Sequence, residues 1–258
     1  MVKKRIIGVL TILEGKVVQS FGYKSYLPLG SPESIIENLD RWGVDEILIQ
    51  CIDRSKFSKG PDYLLLDKIS SLGIGTPIIY SGGIKSVDEA VSVIKRGADR
   101  ISLQDIFLND LNVIKDISSK LGSQALIASI TMSLNIDKVF FYNYISKKEL
   151  FFTDDLLKLL NSNYISEILL IDWKNDGGNS NFNSDLIKNL PIKNKEIILF
   201  GGISDSKQIS ELLGNDNVSA VGIGNYLNYK EHAFQNLKRE VPLDLVRTNT
   251  YYSNNSLL

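Results

Sequence analysis

A chain of 258 residues with 43% hydrophobic and 23% charged residues has the size and composition of one domain with a large core. Its formal net charge of -1 supplies no basic field, so we expect neither a nucleic acid nor a membrane surface as partner. A single cysteine, Cys51, and a single histidine, His232, exclude an internal disulfide and a cysteine or histidine zinc site, and we expect no metal and no cofactor.

Eight short apolar runs of strand type follow one another along the chain, separated by amphipathic segments of helical pattern. The first run follows basic residues but is too short for a leader, so we interpret it as a strand of a cytoplasmic protein. Helix start signals occur at Ser31-Pro32-Glu33, Ser86-Val87-Asp88-Glu89 and Ser204-Asp205-Ser206-Lys207. The apolar runs lie near Ile6–Ile12, Ile47–Ile52, Pro77–Tyr80, Ile101–Leu103, Ala125–Ile130, Ile168–Ile171, Glu196–Phe200 and Ala220–Ile223. Strand followed by helix, eight times over, predicts an α/β fold, a single (β/α)8 TIM barrel over residues 1–258.

An internal repeat relates the two halves of the chain. The offset is close to 120 residues, which indicates two half-barrels covering approximately residues 1–122 and 123–258. An open doubly wound sheet is the alternative, although it would not show eight units related by a half-chain shift. The repeated stretches are Val44–Ile49 with Ile165–Leu170, Pro77–Ile84 with Glu196–Ile203, and Leu10-Thr11 with Ile130-Thr131.

The carboxyl ends of barrel strands form the active face of such folds, so we expect the residues at these ends to face one common cavity. They are Thr11, Cys51, Gly82-Gly83, Gln104-Asp105, Thr131, Asp172, Gly201-Gly202 and Gly224-Asn225.

Each glycine pair precedes a helix start, where backbone N–H groups can hold a phosphate, and two such corners suit a ligand phosphorylated at both ends. The alternative is that the glycines only permit a tight turn. The corner formed by Gly201, Gly202, Gly224 and Asn225 has no nearby acid. By contrast, Asp105 beside Gly82, Gly83 and Gln104 would repel phosphate.

Two long connections leave the same face of the predicted barrel. The segment Leu13–Gly30 contains three glycines, two lysines and three aromatic residues, which is typical of a mobile lid, with an ordinary surface loop as the alternative. After the fifth strand, Val139–Phe152 has the pattern of an inserted hairpin. Its aromatic side chains either pack under the lid or cover the core.

These residues carry a resemblance that covers essentially the whole chain. The matching stretches are Arg5-Ile6-Ile7, Glu14–Val18, Val44–Ile47, Ser81–Ile84, Arg96–Ser102, Gly122–Ala125, Asp176-Gly177 and Gly201-Gly202. Through these stretches the chain resembles HisF, the cyclase subunit of imidazole glycerol phosphate synthase. The resemblance implies that a HisH-like glutaminase docks on the amino-end face and that ammonia passes through the barrel. It further implies that the carboxyl-end face binds a phosphorylated small molecule, which the family cleaves and cyclises, with Asp176 and Gly177 in a substrate loop.

The catalytic positions depart from the family pattern. The two aspartates that act as general acid and base, and a lysine of the first loop, are replaced by Thr11, Thr131 and Gln19. A threonine hydroxyl does not titrate near neutral pH and cannot replace a carboxylate as a proton reservoir. Asp172 is a candidate substitute acid or base, although it could instead hold Lys174 or a loop amide. Cys51 stands where the family has another aspartate, and we interpret it as a packing residue rather than a nucleophile.

Four charged residues match a family ring that guards the ammonia passage at the amino end of the barrel. These are Arg5, Glu46, Arg100 and Glu167, two cations facing two anions. Asp99 matches a family position that contacts the glutaminase. The alternative is that residues on this face serve stability alone.

Three functions remain open from the sequence. The favoured hypothesis is a HisF-like subunit that docks a glutaminase and conducts ammonia to an acceptor outside histidine biosynthesis. By analogy with divergent relatives used in surface polysaccharide biosynthesis, that acceptor would be a nucleotide-linked sugar. The alternatives are a working cyclase that reroutes its proton transfers through Asp172, Asp105 or water, and a non-catalytic scaffold or activator of a glutaminase.

Overall fold

A computed structural model describes residues 3–135, 138–228 and 232–248, without the side chains of residues 108 and 109. The strands are β1 Arg5–Leu13, β2 Lys16–Phe21, β3 Ser25–Gly30, β4 Glu46–Cys51, β5 Ile78–Ser81, β6 Arg100–Leu103, β7 Leu126–Asn135, β8 Lys138–Asn143, β9 Lys148–Leu150, β10 Glu167–Asp172, β11 Glu196–Phe200 and β12 Val218–Ile223. The helices are α1 Pro32–Trp42, α2 Ile52–Lys56, α3 Tyr63–Ser71, α4 Val87–Lys95, α5 Ile106–Asn109, α6 Leu111–Leu121, α7 Asp154–Leu160, α8 Asp185–Lys188, α9 Ser206–Leu213 and α10 Ala233–Glu240.

Eight of these strands close into a parallel barrel. The order around the barrel is β1, β4, β5, β6, β7, β10, β11 and β12, and β12 pairs in parallel with β1 to complete the circle. Helices follow the barrel strands, so the predicted (β/α)8 fold is confirmed. Opposite strands are four steps apart in this order, which places β1 across from β7 and β4 across from β10.

The other four strands form two antiparallel hairpins on the carboxyl-end face. The first hairpin, β2 with β3, continues from the end of β1, where Thr11 pairs with Val18. The second hairpin, β8 with β9, continues from β7 and pairs Met132 with Phe141. The segment Leu13–Gly30 therefore forms ordered strands rather than the lid or irregular loop expected from its composition. Its backbone groups are satisfied by ladder hydrogen bonds.

Capping side chains fix where the helices begin. Ser31 accepts from the Ser34 N–H at the start of α1, and Ser86 with Glu89 forms a complete capping box at α4. At α9 the cap is Asp205, which accepts from the Gln208 N–H. In the described part of the chain, no helix has both the length and the apolar character needed to cross a lipid bilayer.

Alternation along each barrel strand divides the apolar core into two layers. Ile168 and Leu170 of β10 pack outward under the helices, whereas Leu169 and Ile171 belong to the cluster inside the barrel. Because side chains of a strand alternate between its two faces, every second residue at a strand end faces the barrel interior. This two-residue period determines which of the strand-end residues reach a cavity.

The two glycine pairs occupy equivalent crowded positions in the two halves of the barrel. A Cβ on Gly82 would lie 2.5 Å from the Cys51 carbonyl oxygen, and one on Gly201 would collide in the same way with the Asp172 carbonyl oxygen. Both glycines have a positive φ, 137° and 109°. Close packing of the neighbouring strand end therefore requires glycine at both places, independently of any ligand.

We expect Gly82→Ala and Gly201→Ala each to lower the free energy of unfolding by about 2–4 kcal/mol, because both combine an unfavourable φ with a backbone collision. Urea denaturation measures the loss. Gly75→Ala is the matched control, since a Cβ there meets no atom within 4 Å, and it should change stability by less than about 0.5 kcal/mol. Equal effects at Gly75 and Gly82 would contradict the packing argument.

Candidate functional site

Four charged side chains form a closed ring at the amino end of the barrel, which we call the charged ring. Arg5 donates to Glu46 at 2.9 Å and also contacts Glu167. Arg100 lies 2.5 Å from Glu167 and 3.9 Å from Glu46. The Ser219 hydroxyl donates to Glu167 at 2.6 Å. Each cation therefore faces both anions, and the four predicted residues come together with no net charge.

Burial and pairing act in opposite directions on the acids of the charged ring. Burial alone would raise the pKa of Glu167, but the Arg5 and Arg100 guanidiniums and the Ser219 hydroxyl bring that pKa below its ordinary value. Arg100 is anchored further by donating to the Gln124 carbonyl and the Ser166 hydroxyl. Glu167 thus remains ionised and keeps its pairing with both arginines at neutral pH.

Asp99 lies at the same end of the barrel. One of its carboxylate oxygens accepts from the Ile78 N–H at 2.8 Å, which satisfies the first backbone donor of β5. The residue is otherwise exposed. It therefore has a structural contact and also an accessible position on the amino-end face.

A cavity of about 530 Å³ opens over the first half of the barrel at the carboxyl end. We call it the first cavity. Its floor consists of inward-facing strand-end side chains, and its rim carries three lysines and several aromatic residues. The lining includes Lys24, Gln50, Asp53, Lys56, Phe57, Gly82, Gly83, Ser102, Gln104, Asp105, Thr131, Tyr142, Tyr144, Lys147 and Trp173.

Three aromatic residues converge over the barrel axis, and we call them the aromatic cover. Trp173 follows β10 and stacks on Tyr142 of the second hairpin, with ring centroids 4.0 Å apart and an interplanar angle of 15°. Tyr23, at the tip of the first hairpin, reaches across and donates its hydroxyl to Gln50 at 3.1 Å. All three pack on the apolar cluster inside the barrel. Tyr142 and Trp173 follow the adjacent strands β7 and β10, whereas Tyr23 belongs to the hairpin that follows β1 on the opposite side, so together they cover the centre of the barrel mouth.

A second cavity, of about 390 Å³, lies over the other half of the barrel. Its walls include Gly202, Gly224, Asn225, Asp176 and Gly177, all predicted as phosphate or substrate-loop residues. It shares no lining residue with the first cavity. The two predicted corners therefore open into separate spaces rather than into the single cavity expected from the sequence.

The first hairpin is fastened between the two cavities by Asp176. The Ser20 hydroxyl donates to the Asp176 carboxylate at 2.6 Å, and the Gly22 N–H donates to the Asp176 carbonyl at 2.9 Å. Asn225 donates to the Ser20 carbonyl at 2.7 Å and accepts from its N–H at 3.2 Å. Asp176 and Asn225 thus hold the hairpin in addition to lining the second cavity.

Asp176 is also an unusual titrating group. Its burial raises the pKa of the carboxyl to about 6, against the lowering effect of the bonds from Ser20, Tyr23 and Gly22. A carboxyl with such a pKa is half protonated near pH 6, and it can exchange a proton with a ligand within about a unit of neutrality. Its titration was not predicted from the sequence, because the burial comes from a hairpin that is remote along the chain.

The threonines at the two family acid–base positions differ in surroundings. Thr131 lines the first cavity, but its hydroxyl donates to the Tyr142 carbonyl at 2.6 Å and accepts from Gln104 at 2.9 Å. Thr11 is buried at the base of the first hairpin and, like Gln19, is not among the residues that line either large cavity. The Thr131 hydroxyl therefore has a structural use, which is to hold the second hairpin.

Asp172 requires correction, because it faces away from the barrel interior, whereas Cys51 lines the first cavity. Asp172 accepts from the Asn175 side chain at 2.7 Å and the Asn183 N–H at 2.9 Å, so it holds loop amides and lines neither cavity. Burial raises its pKa. Cys51 belongs to the outer core, and burial raises the pKa of its thiol to about 12, which makes it a packing residue. Gln50 is the residue of β4 that turns inward.

The glycine corners are only partly accessible. Gly82 and Gly83 line the first cavity, and the Gly83 N–H donates to the Ser55 hydroxyl at 3.0 Å. Gly202 lines the second cavity, whereas Gly201 is packed behind it. Among the described residues, no group of three or more histidine, cysteine, aspartate or glutamate side chains is arranged to hold a metal ion.

Comparisons with known proteins agree with this architecture. The profile of a family described as "Histidine biosynthesis protein" matches residues 5–233. A Vibrio vulnificus protein named "Putative imidazole glycerol phosphate synthase subunit hisF2" is 28% identical over 235 residues, covering 90% of this chain and 86% of the relative. Imidazole glycerol phosphate synthase subunit HisF of an Exiguobacterium strain is 25% identical over 246 residues, covering 92% and 93%. HisF of Staphylococcus saprophyticus is 28% identical over 247 residues, covering 92% and 96%.

We expect the titration of Asp176 to appear in the pH dependence of stability. Its pKa is raised from 3.8 in the unfolded chain to about 6, so the folded state binds the extra proton between these values. Stability should therefore fall as the pH rises through this window. Between about pH 4.5 and about pH 7.5 the wild type should lose about 2 kcal/mol of unfolding free energy that Asp176→Asn does not lose. Urea denaturation of both proteins across this range measures the difference, and parallel curves would contradict the assignment.

Proposed function

The chain belongs to the histidine biosynthesis protein family as a divergent HisF-like protein, and from that premise we propose that it is the ammonia-conducting subunit of a glutamine amidotransferase. In this proposal a glutaminase docks on the amino-end face, and ammonia passes through the charged ring and the barrel interior. It then reaches an acceptor other than the cyclase substrate. The observation that carries the proposal is the intact charged ring in a barrel whose two acid–base positions hold threonines.

The barrel interior supports passage of a small neutral molecule. Above the charged ring the inward-facing side chains are aliphatic, including Ile7, Leu48, Ile127 and Leu169. Such a lining excludes ions, because a charge loses its hydration there at a large cost in free energy. Neutral ammonia suffers a far smaller penalty. The charged ring and the aliphatic lining together favour a route that admits neutral ammonia and excludes ions.

The carboxyl-end face argues against cyclase chemistry. Thr11 and Thr131 cannot act as acid and base, and Thr131 is committed to the second hairpin. Asp172 faces outward, and Asp105 accepts from the Tyr144 hydroxyl at 2.8 Å. Asp172 is therefore bound to loop amides away from both cavities, and one of the two carboxylate oxygens of Asp105 already accepts from the second hairpin.

One observation favours an active cyclase as the second candidate. Asp176, with a pKa of about 6 at the second cavity, is a group able to give and take a proton at neutral pH. A cyclase would have to use this single carboxyl in place of two. The third candidate, a scaffold that stimulates a glutaminase without passing ammonia, differs in leaving the charged ring without a transport role.

The partner and setting follow from the same reasoning. The curated relatives are named as subunits of imidazole glycerol phosphate synthase, and by that likeness we assign a HisH-like glutaminase to the amino-end face, with Asp99 at the contact. A phosphorylated small molecule would occupy the carboxyl-end face. By analogy with surface polysaccharide biosynthesis the acceptor is a nucleotide-linked sugar. The setting is the cytoplasm, where a thiol such as that of Cys51 stays reduced.

We expect very little cyclase activity from the purified chain. Supplied with the family's bis-phosphorylated ribonucleotide and an ammonium salt, it should turn over at least about 10⁴-fold more slowly than a HisF with both aspartates, because each lost acid–base group contributes about 10²–10⁴. Absorbance or chromatography of the imidazole product measures the rate. A rate within about tenfold of the authentic cyclase would replace our proposal with the second candidate.

We expect the charged ring to keep transferred nitrogen apart from bulk ammonium. The chain, a HisH-like glutaminase and an extract containing the acceptor would be given amide-¹⁵N glutamine and excess unlabelled ammonium. In the wild type, the aminated product should keep the label. Glu46→Gln, which is close to isosteric, and Arg5→Ala should both dilute it. Mass spectrometry of anionic products measures the ratio.

Arg96→Ala is the control for the labelling experiment, because Arg96 pairs with Asp67 on the outer helices and lies outside the charged ring. It should behave as the wild type. Unfolding curves of each variant separate an open passage from a misfolded barrel, since removing one partner of a buried pair costs about 3–5 kcal/mol. If the wild-type product also lost its ¹⁵N label to unlabelled ammonium, ammonia channelling would be overturned and the scaffold would remain as the candidate function.

A further inference from the structure

The first cavity is built with cations at its rim and carboxylates in its depth. Lys24, Lys56 and Lys147 are exposed at the rim and form no ion pair within the described residues. Asp53 and Asp105 are buried, 4% and 5% exposed. The cavity therefore suits a ligand that is anionic at its outer end and carries hydroxyl groups at its inner end. Carboxylates are good acceptors for such hydroxyls.

Two buried polar atoms of the cavity wall lack a hydrogen-bond partner in the described part of the chain. They are the Ser102 hydroxyl and the Trp173 indole N–H, in residues that are 2% and 8% exposed. Leaving a buried polar group unsatisfied costs about 1–3 kcal/mol, so such groups are rare without a purpose. Both residues line the first cavity. A ligand with polar atoms near the floor would satisfy them.

The wall between floor and rim is aromatic. Phe57, Tyr26 and Tyr144 stand near the rim lysines in the same lining, and Phe57 is 53% exposed. Exposed aromatic faces bind planar rings by stacking. A nucleobase attached to the anionic end of a ligand would find these surfaces at the mouth of the cavity.

The ligand must fit in one half of the barrel face. The first hairpin is held between the two cavities by Asp176, and the aromatic cover closes the centre. A ligand that spans both glycine corners would have to displace them. The volume of about 530 Å³ lies within the range of about 300–1,000 Å³ typical of small-molecule sites, so the first cavity is large enough alone.

We propose that the first cavity binds a nucleotide-linked sugar, with the diphosphate on Lys24, Lys56 and Lys147 and the sugar hydroxyls on the buried Asp105 and Ser102. This inference deepens the proposed function and rests on it for the use of the ligand, because it places the sugar at the floor, directly above the inward-facing strand ends. The other floor carboxylate, Asp53, is paired with Lys59 at 3.0 Å. The lining also includes one further acid, Glu14, which is exposed at its edge. The three lysines remain the groups that hold the anion.

The test is binding of UDP-glucose to the purified chain, followed by the fluorescence of Trp173 in a Trp42→Phe background. We expect UDP-glucose to bind at least about tenfold more tightly than UDP, glucose or inorganic phosphate, because only the whole ligand uses both ends of the site. Replacing the three lysines together by glutamine should weaken both UDP-glucose and UDP by at least about tenfold. Asp105→Asn should weaken UDP-glucose and leave UDP unchanged.

Controls separate this site from general charge and from the second cavity. Lys95→Gln, Lys115→Gln and Lys120→Gln, combined, remove the same charge from exposed helix positions and should leave the affinity unchanged. Affinity for UDP-glucose no greater than for inorganic phosphate would overturn the proposal. So would a loss on Ser204→Ala, since Ser204 lines only the second cavity. No glutaminase takes part, so failure of this test leaves the labelling experiment to judge the proposed function separately.

Discussion

The bonds between Asp176 and the first hairpin determine the shape of the carboxyl-end face. The buried carboxylate and its own carbonyl together hold Ser20 and Gly22, and the hairpin tip is thereby fixed over the barrel axis. Tyr23 can then reach Gln50 and complete the aromatic cover. One acidic residue thus converts an open face into two compartments. The chemistry available to each compartment follows from this partition rather than from the strand ends alone.

Along its axis the barrel changes character in layers. Paired charges close the amino end, aliphatic side chains fill the interior, and polar strand-end residues such as Gln50 and Ser102 form the floor of the first cavity. Each layer follows from alternation, because the inward residue of every strand is separated from the next inward residue by one that packs under the helices. A path from charged ring to cavity floor therefore crosses a dry zone between two polar ones.

The repeat and the strand pattern predicted the barrel and the glycine pairs, because both depend on residues at fixed offsets within strands. The charged ring came from the family resemblance. The expectation that Asp172 faces a cavity was wrong for a physical reason. A shift of one residue along a strand turns a side chain from the interior to the outer core, and the apolar runs did not define where each strand ends. The bonds between Asp176 and the first hairpin could not be predicted from the sequence, since Ser20 and Asp176 come together only in the folded barrel.

The neutrality of the charged ring has a consequence for proton balance. A cation that enters would bring an unmatched charge into a buried site where Arg5 and Arg100 are already paired, and desolvation would not be repaid. In the proposed function, nitrogen therefore enters as ammonia and leaves its proton on the amino-end side. That proton passes to the solvent that both faces share, so ammonia would reach the cavity floor as a neutral nucleophile and the acceptor site would need no base to deprotonate ammonium.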